Sequence, residues 1–207
     1  MSTVTPSRPE AMSATPRASA RVARLVTDCL EPKTWIFAVL FLVGIKSDGL
    51  VGVAWAIHAA VFAGVVPMVV IKSGVRKGNW SDRHLSARAQ RLRVIPLILA
   101  SLCIGITVMS AGNAPQELLA AVATMVATLV VIMAITTAWK ISVHTSVAGG
   151  AATMTALVLG PWWWASSMLV LLVGWSRIAL HDHTRAQVAA GALLGPTMAL
   201  LVFAAMT

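Results

Sequence analysis

Carboxylates are scarce in this chain. Only seven Asp and Glu residues stand among 207, and Glu10, Asp28, Glu31, Asp48, Asp82, Glu117 and Asp182 are scattered, with no paired cluster. A magnesium or calcium site needs several converging oxygen ligands, so no metal site and no cofactor is expected. Cysteine is scarcer still. Cys29 and Cys103 lie far apart without partner ligands at metal spacing, which argues against a disulfide framework or a zinc site and leaves two small apolar side chains. Charged residues make up 11% of the chain, whereas hydrophobic residues make up 58% and the mean hydropathy is +0.83. A soluble domain of this size cannot hide so much apolar surface, so the chain belongs in lipid. The net charge of +9 comes from short cationic clusters between apolar runs, with no RNA- or DNA-binding motif around them. Lipid headgroups and phosphate esters are the expected partners, not nucleic acid.

Residues 1–24, rich in Ser, Thr, Pro, Ala and Arg, show no apolar periodicity and are expected to form a disordered basic tail. Residues 25–207 are expected to form one transmembrane domain. Apolar segments run over residues 34–45, 49–71, 94–111, 118–138, 143–159, 162–180 and 186–206. The first is short against the roughly 20 residues that a bilayer requires. The expected fold is therefore all-α, a polytopic transmembrane helix bundle with six or seven spans. Gly160-Pro161 splits what is otherwise one long apolar stretch, and Trp162, Trp163 and Trp164 beside it suit a membrane–water interface. If all seven segments cross, one face receives every Lys and Arg except Lys46. The positive-inside rule makes that face cytoplasmic, so the expectation is a multi-pass protein of the cell membrane. The sequence is silent on oligomeric state.

Three polar groups on that face carry the candidate chemistry. Ser81 to Arg93 contains Arg83, Arg88 and Arg91, rigid guanidinium forks suited to phosphate oxygens. Alone, this segment equally suits a basic loop that binds anionic lipid and fixes topology. Lys140-Ile141-Ser142-Val143-His144 places a cation, a hydroxyl and a histidine at the start of an apolar helix. Free N–H groups and partial positive charge there favour an anion, with Lys140 and Ser142 beside it and His144 as a proton donor. The third group is Ser176-Arg177-Ile178-Ala179-Leu180-His181-Asp182-His183-Thr184-Arg185-Ala186-Gln187, followed by Val188-Ala189-Ala190-Gly191. His58, inside an apolar segment, is a further functional candidate, since an ionisable group in lipid is costly.

The third group resembles the Ser-Arg, five residues, His, three residues, Asp signature of the type 2 phosphatidic acid phosphatase superfamily. Ser176, Arg177 and His183 stand in register, Gln187 occupies the Asp position, and an Ala-Gly follows. Ser142-Val143-His144 is similar to the family's Ser-Gly-His motif, with Val143 in place of glycine. The stretch from Arg83 to Arg91 loosely resembles its Lys, six residues, Arg-Pro motif and lacks both the Lys and the Pro. The resemblance spans residues 81–191, about half the chain.

The resemblance implies a membrane phosphatase that removes a phosphate monoester or diphosphate from a lipid such as phosphatidic acid, phosphatidylglycerol phosphate or a prenyl phosphate. His183 is then the nucleophile, forming a phosphohistidine, and His144 the acid for the leaving group. Arg83, Arg91, Lys140, Ser142, Ser176 and Arg177 bind the phosphate, and no metal takes part. Gln187 accepts from the His183 Nδ1–H and orients the ring without the charge that a carboxylate brings. The motif register favours His183 over His181 as nucleophile. The alternative is a catalytically weak or inactive membrane protein that binds anionic lipid or a partner, which Gln187 and Val143 suggest.

Overall fold

The computed structural model describes residues 15–79 and 88–207, and every regular element among them is helical. Four stretches, Ala18–Arg76, Ala89–Ala111, Gln116–Ala138 and Arg185–Met206, are long and apolar enough to cross a membrane, and Val143–Leu159 is a shorter apolar helix. Leu50, Trp162, Met168, Leu171 and Leu193 all point outward. Helices satisfy their own backbone groups and tolerate such a surface only where lipid covers it, so this is a membrane protein.

Helix α1 spans Thr15–Cys29 and so takes up the end of the expected 1–24 tail; residues 1–14 lie outside the described residues. Its Ala and Arg content favours helix, and Ala23 and Thr27 are buried where α1 packs against α7 (Ser167–Ala179). Val22, Ala23, Val26 and Cys29 recur at helical spacing, a periodicity that is present in the sequence and was overlooked among its polar residues.

Helix α2, Pro32–Ala60, begins with proline in its first turn, where no N–H is missed. It reverses direction midway. Asp48 (φ −155°, ψ 37°) and Gly49 (φ 50°, ψ −124°) leave the helical region, and the positive φ suits glycine. Residues 32–47 and 50–60 then lie back to back. A Cβ on Gly52 would stand 1.9 Å from the Gly44 carbonyl oxygen, so only paired glycines permit this contact. The second arm continues through a π-helical turn, Val61–Val65, into α3, Val66–Arg76. Helix α4, Arg88–Ala111, runs along this arm. His58 Nε2 lies 3.2 Å from the Gly105 carbonyl, and Ser101 Oγ donates to the Phe62 carbonyl at 2.7 Å. His58 therefore has a partner that sequence does not reveal, and it ties two helices together.

Helix α5 covers Gln116–Ala138 and α6 covers Val143–Leu159. A 3₁₀ turn, Pro161–Ser166, leads into α7. Helix α8, Arg185–Met198, passes through a second π-helical turn, Ala199–Phe203, to the short α9, Ala204–Met206. Gln116 Nε2 donates to the Met206 carbonyl at 3.3 Å, which places the start of α5 and the chain end together. At the other end, Lys140 Nζ donates to the Asp182 carbonyl at 2.8 Å. Small residues dominate the closest pairing, α6 on α8, because lipid removes any hydrophobic drive and leaves backbone approach as the source of contact. A Cβ on Gly195 would meet the Ser146 carbonyl oxygen at 1.9 Å, and one on Gly191 would meet Thr145 Oγ1 at 2.3 Å.

Candidate active site

The α6–α8 seam sets the site's floor. Ser142 caps α6, its Oγ accepting from the Thr145 N–H at 3.4 Å, while its own N–H donates to the Gln187 carbonyl at 3.2 Å. Its carbonyl accepts from Ser146 Oγ at 3.0 Å, and Thr145 Oγ1 reaches the Val188 carbonyl at 3.1 Å. Gly191 is the residue that lets these groups come so close, so the Ala-Gly after the third motif has a packing cause. Val143 replaces the motif glycine at the first residue of α6, a position any residue can take.

The turn from α7 into α8 places the next groups. Helix α7 ends with the Asp182 N–H donating to the Arg177 carbonyl (3.1 Å) and the His181 N–H to the Ile178 carbonyl (2.9 Å). This is a Schellman ending, with His181 at φ 56° where glycine is usual. His181 is thus exposed and shapes the turn. Asp182 lies in that turn, not on a helix as adjacency in sequence suggests, and its Oδ2 pairs with Arg177 NH2 at 2.9 Å. Arg177 is buried, and its Nε has no hydrogen-bond partner among the described residues.

His183 follows, also buried. Its Nδ1 lies 3.1 Å from Gln187 Oε1. The same oxygen accepts from the Thr184 N–H at 3.2 Å, and Thr184 Oγ1 accepts from the Gln187 N–H at 3.3 Å. Thr184 and Gln187 form a capping box at the start of α8, which the Thr-x-x-Gln spacing before an apolar run signals in the sequence itself. Because Oε1 receives a backbone N–H, it is an acceptor, so Nδ1 carries the proton and Nε2 presents its lone pair. The ring's pKa falls from 6.5 to about 3, through burial first, then the positive charges of Lys140 and Arg91; the Gln187 bond opposes this, and Arg177 adds to it. At neutral pH the imidazole is therefore uncharged and surrounded by cations. His183, Lys140, Asp182 and Gln187 line one cleft at this face.

His144, also buried, lines a different space. A cavity of about 320 Å³ is bounded by Lys33, Lys72, Arg91 and His144 at one end and by Ile, Leu, Val and Met side chains further in. Arg91 joins the two spaces: it lines the cavity, its NH1 donates to the Ile141 carbonyl at 2.9 Å, and its charge reaches His183. The structure thus brings Arg91, Lys140, Arg177, His183 and Gln187 to one place, whereas His144 lines the cavity that Arg91 also borders. The two serines expected at the phosphate are committed elsewhere. Ser142 lies wholly buried in the α6 cap. Ser176 Oγ donates to the Val173 carbonyl at 2.7 Å and accepts from Thr27 Oγ1 at 3.1 Å, because a helix serine bonds readily to its own preceding turn. Arg83 lies outside the described residues. Sequence reasoning passed over Asp182 as the partner of Arg177, and Lys33 and Lys72 as cations at a cavity mouth. No protein-family model, no curated protein and no solved structure matches the chain.

Proposed function

We propose that this is a metal-independent membrane phosphatase that hydrolyses a lipid-linked phosphate at its basic face through a phosphohistidine on His183. The observation that carries the reading is a neutral, buried histidine held in one tautomer by Gln187 within reach of the charges of Lys140, Arg91 and Arg177. Among the described residues a single carboxylate, Asp182, faces this group, so the positive charge is in excess and complementary to a phosphoryl dianion. Arg177 Nε is left for a phosphate oxygen. The similarity to the type 2 phosphatidic acid phosphatase signature at Ser176, Arg177 and His183 points the same way. In this reading residues 32–47 and 50–76, α4, α5, α6, the Pro161–Ala179 segment and α8 with its extension make seven crossings, and the basic face is cytoplasmic.

The reading implies an in-line displacement with the two histidines on opposite sides of phosphorus. His183 Nε2 attacks phosphorus from the outer cleft as the bond to the lipid oxygen breaks on the opposite, inner side, where His144 gives that oxygen its proton. Lys140, Arg91 and Arg177 hold the equatorial oxygens. Water then attacks the phosphohistidine from the side the lipid alcohol vacated, His144 taking its proton. The N–P bond breaks, phosphate leaves, and both histidines return to their starting forms.

The deciding experiment is phosphate release by the purified protein from a lipid phosphate in detergent, in EDTA and in magnesium. Equal turnover in both is expected. Loss on chelation with recovery on adding metal would overturn the metal-free mechanism, and binding with no release by the intact protein would favour a lipid-binding protein, the reading to which the neutral Gln187 lends itself.

A further inference from the structure

The inner cavity has the form of a hydrocarbon slot with a cationic rim. From Arg91 to Leu102 on α4, and from His144 to Met154 on α6, its walls run about 15 Å at about 1.5 Å per residue. That is roughly half of the ~30 Å hydrocarbon core, one leaflet deep. Its rim carries Lys33, Lys72 and Arg91, and Lys33 pairs with Glu31. Beyond the rim the lining is apolar save for Ser146, Thr128 and Thr124, whose hydroxyls donate to backbone carbonyls. Its inner limit is formed by Leu102, Thr124 and Met154, all buried. Thr124 Oγ1 spends its hydrogen on the Ala120 carbonyl at 2.8 Å, so this end makes no polar demand on an occupant.

Resting on the phosphatase reading above, we infer that this cavity takes one hydrocarbon chain of the lipid phosphate and measures it, with Leu102, Thr124 and Met154 setting the length. Walls of about 15 Å, at about 1.2 Å per bond of an extended chain, match in depth one chain of at most about twelve carbons. The simplest occupant is a single-chain phosphate amphiphile, its phosphate beside Arg91 and its chain between α4 and α6. The first bond of the chain then lies at His144, where the mechanism requires the leaving oxygen.

Because the chain moves from lipid and not from water, a methylene that fits contributes little. A chain too short leaves wall atoms without contacts, and one too long strains the packing. Affinity at equal membrane concentration should therefore pass through an optimum.

The test uses the full protein in nanodiscs and linear alkyl phosphonates of eight to eighteen carbons, which bind but cannot be hydrolysed, with phosphate release from the matching alkyl phosphates measured in parallel. The expected optimum is near ten to twelve carbons, with a fall on the order of tenfold by eighteen. Met154→Ala should move the optimum to longer chains by about two carbons, and Ala151→Leu, which adds bulk to the wall, should move it to shorter ones. Opposite shifts cannot arise from general destabilisation. An unchanged optimum in both variants, or none in the intact protein, overturns the length-measuring cavity. A chain-length optimum in phosphonate binding without phosphate release keeps the cavity and sinks the phosphatase. Release with no chain-length preference does the reverse.

Discussion

His183 and His144 are both buried histidines near the same face, yet their surroundings differ in kind. His183 sits in a turn where every neighbour is fixed by a helix end: the Schellman ending of α7, the capping box of α8 and the Lys140 bond to the Asp182 carbonyl. His144 is the second residue of α6, in the wall of a mostly apolar cavity. On the phosphatase reading proposed above, the difference is a division of labour. A nucleophile needs a fixed tautomer and compensating charge, which helix termini supply through backbone groups that cannot reorganise. A group serving a lipid leaving oxygen must instead border the space where the hydrocarbon lies.

The sharpest way to break this comparison is to remove each histidine in turn. His183→Ala should lower phosphate release by roughly 10⁴ or more with every substrate, since no group replaces the nucleophile; activity within tenfold of the parent would refute the phosphohistidine. His144→Ala should cost about 10²–10⁴ with an alkyl phosphate, and less than about tenfold with nitrophenyl phosphate, whose leaving group needs little protonation. Equal losses with both substrates would deny His144 the role of acid.

A smaller effect concerns pH. The folded His183 pKa, about 3, lies below its ordinary 6.5, so between these values the unfolded chain holds a proton that the folded one lacks. Stability is then lost as pH falls from 6.5 toward 3. Gln187→Glu keeps the contact with Nδ1 and adds a charge that raises the folded pKa, so this loss should shrink, and the acid limb of kcat/KM should move to higher pH. Thermal melts across that window, with identical acid sensitivity in parent and variant, would show that the ring is not the group responsible. The smallest change is His181→Gly, which relieves a positive φ and should stabilise by about 1 kcal/mol with turnover intact. A fall in turnover like that of His183→Ala would return His181 to the chemistry.

Much of this was legible in the residues because lipid imposes few solutions. Apolar runs without carboxylates oblige helices that satisfy their own backbone, and the cations between the runs mark helix ends. The Thr184-x-x-Gln187 capping box turns the Gln187 side chain back toward the residues before α8, which is why its contact with His183 at 3.1 Å was foreseeable. Other features depend on groups far apart in sequence. Ser176 looks like a phosphate ligand until Thr27, 149 residues away, is found bonded to it. Asp182 looks idle until the turn aims it at Arg177. The sequence by itself determined a helical membrane protein with cations, histidines and hydroxyls gathered at one set of helix ends, because periodicity and charge are local properties. Only the tertiary structure decided that His144 borders a hydrocarbon-lined cavity while His183 faces a separate cleft. Which side chains share a space depends on how closely the backbones of α6 and α8 meet, and glycines such as Gly191 and Gly195 set that approach through atoms they do not have.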